Sequence, residues 1–234
     1  IQQSAFQEKR FNLGTNIRLS EKSDTNYLQL SARYREKNIL EKSHWYWEGS
    51  INYLHYDDES LSLITSASSK YQWHTQEGCQ PYTQMSLDYL APLQQDTLKS
   101  TTLFSGVGLN CQNSSRMFDA KLEHIFNYAL DEERPGGNQR GWRINLQWQK
   151  PLYKGLFSSN FRHSRLKDSS GYSSLLENGA VRRQRRTDLS MEYSQELSPG
   201  NQFNVSLSTQ QQSSNIDLFK QRSTRFGIGF RKLF

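Results

Sequence analysis

Apolar and polar side chains alternate with a period of two through most of this chain, a pattern that extended strands satisfy and helices do not. Near the C-terminus Phe226, Ile228, Phe230 and Phe234 share one face, while Arg225, Gly227, Gly229 and Arg231 share the other. Trp142, Ile144, Leu146 and Trp148 oppose Arg143, Asn145 and Gln147 in the same way. So do Leu189, Met191 and Tyr193 against Asp188, Ser190 and Glu192, and Phe203, Val205 and Leu207 against Asn204, Ser206 and Ser208. Upstream, the apolar sets begin with Phe11, Leu13 and Ile17, backed by Asn16 and Arg18, and continue with Leu28, Leu30 and Tyr34, backed by Gln29 and Arg33. Trp45, Trp47 and Ile51 face away from Glu48. Leu61, Leu63 and Tyr71 face away from Lys70, and Met85, Leu87 and Tyr89 from Asp88. Leu103, Val107 and Leu109 form a further apolar face, although Phe104 intrudes on its polar partner. Phe118, Leu122 and Phe126 oppose Asp119, Lys121 and Glu123. Phe157 and Phe161 against Asn160 and Arg162 give the faintest pattern.

These segments predict about twelve strands, each long enough to cross a bilayer at the usual tilt. Hydrophobic residues make up 34% of the chain, yet aromatics reach 12%. A soluble core asks for more aliphatic content, and a disordered chain lacks aromatics. A closed barrel reconciles the two, because its outer face is apolar, its interior is polar and aromatics ring its rims. No apolar run approaches the roughly 18 residues of a membrane helix. The expected fold is therefore all-β: an antiparallel transmembrane β-barrel of about 12 strands over residues 11–234, with residues 1–10 as an N-terminal segment or linker. The expected location is a Gram-negative outer membrane, where an exported chain has lost its signal peptide ahead of Ile1.

Connection lengths predict an orientation. Counting back from a periplasmic C-terminus, residues 213–223, 167–186 and 131–141 are long and polar and belong outside. Residues 198–201 and 151–155 are tight and belong inside. Residues 35–43 break the rule as a fairly long inside connection. Cys79 and Cys111 then fall at the periplasmic ends of neighbouring strands, on the apolar parity, where a disulfide is sterically sensible in an oxidising compartment.

Catalytic chemistry finds little support. His44, His55, His74, His124 and His163 show no metal-binding spacing, so no metal or other cofactor is expected. His163 and Ser164 are adjacent on a strand and point to opposite faces, so they cannot form a hydrolase pair. Gly106-Val107-Gly108 is not followed by a helix, as a nucleotide loop requires. The charge is +6, from 29 basic and 23 acidic residues. Much of it falls on the polar parity: Arg18, Arg33, Lys70, Lys121, Arg143, Arg162, Arg225 and Arg231, with Glu48, Asp88, Asp119, Glu123, Asp188 and Glu192. Such a lining serves either as a cross-strand ion-pair network filling a narrow barrel or as a selective pore. Arg182, Arg183, Arg185 and Arg186 form a second cluster, read as lying at headgroup height in the outer leaflet against lipopolysaccharide phosphates, or simply as a solvated loop base. Nucleic acid is not an expected partner.

The closing Phe226, Ile228, Phe230 and Phe234 resemble the C-terminal signal read by the barrel assembly machinery in outer-membrane proteins. Arg186-Thr187-Asp188, Ser214-Asn215-Ile216, Phe219, Arg225, Gly229-Phe230 and Phe234 resemble the end of the barrel in surface lipoprotein assembly modulators. That resemblance covers roughly the last 50 residues. Related barrels end exporters carrying tetratricopeptide repeats, and YaiO-like barrels share the general form. The likeness implies a periplasmic helical-repeat partner and an exported cargo. The leading expectation is an export pore passing a polymer or protein segment, with Gly227 and Gly229 beside its path. The alternatives are a passive channel for small acidic solutes and a closed structural or adhesive barrel. An enzyme is not expected.

Overall fold

The computed structural model describes residues 6–18, 27–40, 43–56, 59–75, 78–92, 95–113 and 115–232. Twelve strands account for nearly all of them: β1 (Phe6–Arg18), β2 (Tyr27–Leu40), β3 (Ser43–Tyr56), β4 (Glu59–Trp73), β5 (Cys79–Pro92), β6 (Ser100–Gln112), β7 (Met117–Ala129), β8 (Gln139–Leu152), β9 (Gly155–Gly171), β10 (Val181–Ser198), β11 (Asn201–Ser214) and β12 (Gln221–Lys232). They form one sheet in sequence order, and every neighbouring pair is antiparallel. Each strand exceeds the roughly 9–11 residues that a tilted strand needs to cross a bilayer. Among the described residues no ladder joins β1 to β12, so these two strands are the sheet's ends.

The register carries the period-two pattern through the middle of all twelve strands, and its shifts fall near strand ends, at Leu54/His55, Val181/Arg183 and Glu196/Ser198. Phe11 pairs with Tyr34 and Leu13 with Ala32 on β1 and β2. Leu87 pairs with Leu103, Leu122 with Ile144, Leu146 with Phe161, Leu189 with Phe161 and Leu207 with Phe226. One face of the sheet is therefore apolar from end to end. It is also the exposed face: Phe11 is 64% exposed, Phe226 67% and Phe230 75%. The buried side chains include Glu123 at 2% and Tyr82 at 3%, both on the polar face. A water-soluble sandwich distributes these the other way. The polar face, which holds the buried Glu123 and Tyr82, is the sheltered side of the sheet.

Strands run further than the alternation alone predicts. β1 starts at Phe6, inside the segment expected as a linker. The connection expected over 35–43 shrinks to residues 41–42, because β2 continues to Leu40. The long connection expected over 167–186 shrinks to residues 172–180, because β9 and β10 extend as a paired ribbon beyond the apolar belt. Polar side chains on both faces erase the alternation there, while the backbone ladder needs none to continue. Among the connections described in full, those at one end, 153–154 and 199–200, are short, and those at the other, 130–138, 172–180 and 215–220, are long.

Candidate site on the concave polar face

Most of the charged residues singled out in the sequence share the polar face, but they do not form one uniform lining. The wall from β5 to β8 is packed. Glu123 accepts from Arg143 Nε at 2.7 Å and from Asn145 Nδ2 at 3.0 Å, and pairs with Lys121 Nζ at 2.8 Å. Tyr82 on β5 reaches over β6 and donates to Asp119 Oδ1 on β7 at 2.9 Å. Asn110 Nδ2 donates to the other Asp119 oxygen at 3.1 Å. Lys70 Nζ lies 3.8 Å from the Tyr82 ring centre, and the Arg143 guanidinium lies 4.6 Å from that of Phe104. Phe104, which breaks the polar pattern in sequence, is thus the platform for a half-buried cation.

Two glycines make this wall possible. A Cβ on Gly108 would sit 2.3 Å from the Tyr82 ring, and one on Gly106 would sit 2.5 Å from the Leu122 carbonyl and 2.8 Å from Glu123. Their bare backbone lets side chains two strands apart meet. Tyr82, Asn110, Asn145 and the Gly106–Gly108 pair join the site only through the tertiary structure. The available signal was two glycines on the polar parity of β6 directly beside an inward Tyr on β5.

The wall from β9 to β12 is different. Arg162 Nε donates to Asn145 Oδ1 at 3.0 Å, and Arg186 pairs with Asp188 at 3.0 Å. Arg225, Arg231 and Glu192 make no ion pair among the described residues, and the strands around them present Ser206, Ser208, Asn204, Gly227 and Gly229. Asn160, Arg162, Asp188, Gln210, Ser223 and Arg225 line a cavity of about 320 Å³ here. Across the sheet, Glu48 pairs with Arg35 at 2.6 Å and Arg33 at 3.4 Å. It lines a second cavity of about 570 Å³ with Lys37, Lys70, Gln84 and Asn110. Asp88 sits on the polar face opposite Ser66 and Thr102, with no ion pair among the described residues. Arg18 pairs with Tyr27 in the β1–β2 ladder, and its side chain lies outside the described residues.

At the long-connection end the polar face is roofed. Asp168, almost fully buried, accepts from Arg182 Nε at 3.0 Å and from Gln139 Nε2 at 2.9 Å. Arg182 is clasped between the Tyr172 and Phe219 rings, at 4.4 and 4.6 Å. Gly136, with φ +80, gives the room for Asp168 that a side chain would fill. Burial holds the nearby Arg134 guanidinium below its ordinary range, against the pull of Asp168. Asp168 carries no signal in the sequence, because the alternation fades over 167–186 although β9 and β10 continue there.

The four clustered arginines do not form one surface. Strand alternation splits them, because all four lie on β10 rather than at a loop base. Arg182 and Arg186 turn to the polar face, held by Asp168 and Asp188. Arg183 and Arg185 point to the apolar face, opposite Lys167 and Arg165. Cys79 and Cys111 are directly opposed and disulfide-bonded, with Cα atoms 3.9 Å apart. Phe226, Ile228 and Phe230 stand exposed on the apolar face, and Phe234 lies outside the described residues. His44 and His74 are hydrogen-bonded Nε2 to Nε2 at 2.8 Å at the short-connection end. The His55 side chain lies outside the described residues. His163 bonds Thr187 at 2.8 Å on the apolar face, away from Ser164. No protein-family model matches the chain, and no curated protein matches it.

Proposed function

We propose that the chain is an outer-membrane barrel whose concave polar face forms a conduit, and that its cargo is a polymer or protein segment on its way to the cell surface. The observation that carries the reading is the asymmetry of the polar face. The β5–β8 wall is filled by Glu123, Arg143, Tyr82 and Asp119. The β11–β12 wall is left to small side chains, Gly227, Gly229 and two arginines, Arg225 and Arg231, that make no ion pair among the described residues. Small, polar, unpacked walls suit an extended chain sliding past. The exposed apolar face suits lipid, and lipid in turn requires closure, because an open strand edge leaves backbone groups unsatisfied in hydrocarbon. Pairing of β1 with β12 supplies that closure, and the even strand number makes the pair antiparallel. The resemblance of the C-terminal region to surface lipoprotein assembly modulators and other repeat-linked exporters agrees with export. The likeness of Phe226, Ile228 and Phe230 to an assembly signal agrees with insertion by the barrel assembly machinery.

A second reading, passive passage of small acidic solutes, is favoured by the unpaired Arg225 and Arg231. Planar-bilayer recording of the purified chain separates conduit from closed barrel. Photocrosslinking from Gly227 in cells separates exporter from passive channel. Adducts to a surface polypeptide or polymer support export, and steady conductance without such adducts supports the passive channel. Absence of both overturns the conduit.

A further inference from the structure

Five basic side chains stand together on the apolar face at the long-connection end. The register sets Arg140 beside Lys167 and Lys167 beside Arg183 in one row. In the next row, toward the middle of the sheet, Trp142 lies beside Arg165 and Arg165 beside Arg185. Three strands at about 4.8 Å spacing confine all five to a patch roughly 10 Å wide. All five are exposed, and none makes an ion pair among the described residues. The acids on these strands, Asp168, Asp188, Glu192 and Glu196, share the parity of the polar face, and the first two hold Arg182 and Arg186. Like charges directly opposed on neighbouring strands destabilise a sheet. A cluster of this kind gains stability when an anion from outside the chain neutralises it.

The next rows toward the middle carry Ile144 and His163, then Leu146, Phe161 and Leu189. The patch is therefore a cationic rim above an apolar wall, and it encloses a cavity of about 580 Å³ floored partly by Trp142 and His124. His124 also lines a neighbouring apolar groove of about 640 Å³ with Trp45, Tyr71, Met85, Val107 and Leu122. Its ring stacks edge-on with Phe126, 4.2 Å between centres. The two cavities share His124 in their walls. Phosphates at the rim and acyl chains along the groove are what this adjacency fits.

We infer that the face formed by Arg140, Arg165, Lys167, Arg183 and Arg185 binds the phosphorylated headgroup of one glycolipid of the outer leaflet, whose acyl chains follow the groove past His124. Arginine forks take phosphate oxygens two at a time, and several cations at once favour a headgroup with more than one phosphate. The inference rests on the membrane reading of the apolar face but not on the conduit.

The test is native mass spectrometry of the full chain in detergent, titrated with bis-phosphorylated lipopolysaccharide glycolipid, with the same lipid dephosphorylated, and with inorganic phosphate. One phosphorylated lipid is expected to remain bound. R165S/R185S should weaken it at least fivefold, and the lipid-free variant should melt no lower than the parent, since two opposed charges are gone. Arg116→Ser, which removes one cation at the opposite end, should leave binding intact. If R165S/R185S fails to fold, Lys167→Ser with Arg183→Ser replaces it under the same criterion. A loss below fivefold, equal binding of the dephosphorylated lipid, or displacement of the lipid by equimolar phosphate overturns the proposal. A chain that inserts into bilayers yet ignores the lipid phosphates defeats this inference alone. A chain that does not insert at all defeats the membrane reading.

Discussion

The Tyr82 ring lies flat against Gly108 on the adjacent strand, and its hydroxyl thereby reaches Asp119 one strand further on. This contact makes the polar face an interlocked wall rather than a set of independent hairpins. Gly108→Ala should push the ring off its strand and destabilise the fold by roughly 1–3 kcal/mol, as overpacking does. Tyr82→Phe keeps the ring and should cost about 1 kcal/mol through the lost hydrogen bond. Both are read as the temperature at which the compact gel form converts to the unfolded one. An unchanged transition in Gly108→Ala would remove the interlock.

Glu123 is the most deeply buried carboxylate of the packed wall, with Lys121 and Arg143 both within 2.8 Å. Glu123→Ala leaves two half-buried cations uncompensated and should cost about 3 kcal/mol or more. Adding Arg143→Ala should recover part of that loss. A double variant as unstable as the sum of its singles would mean that the residues act independently.

The Cys79–Cys111 bond closes 32 residues between adjacent strands. Chain entropy sets an upper limit of about 4 kcal/mol for such a loop. The β5–β6 ladder already holds it, so reduction should lower the unfolding free energy by well under that limit while the fold survives. Loss of the compact form on reduction alone would show that the ladder does not suffice.

Arg225 and Arg231 have no carboxylate partners among the described residues on the open β11–β12 wall. Replacing both with Ser should move the reversal potential toward cation preference and raise conductance, with little change in melting temperature. A fixed reversal potential with a lower melting temperature would assign them to a structural ion-pair network instead.

Much of the architecture was written in the sequence. A side chain's face on a strand depends only on its parity, so Phe226, Ile228 and Phe230 against Arg225 and Arg231, and the shared parity of Cys79 and Cys111, were legible directly. Register could be inferred because slipping one residue would turn Leu122 or Leu146 to the polar face. What only the tertiary structure decided is which polar residues meet. Tyr82 finds Asp119 across β6 because Gly108 lacks a side chain, and that is a contact between strands distant in sequence. The extent of β9 and β10 was hidden too, since polar residues on both faces leave no alternation to read although the ladder continues. That extension separates Arg182 from Arg183 by half a strand turn. The first meets buried Asp168 and the second joins the cationic rim, a division fixed by the sheet's two-sidedness and not by the cluster's sequence.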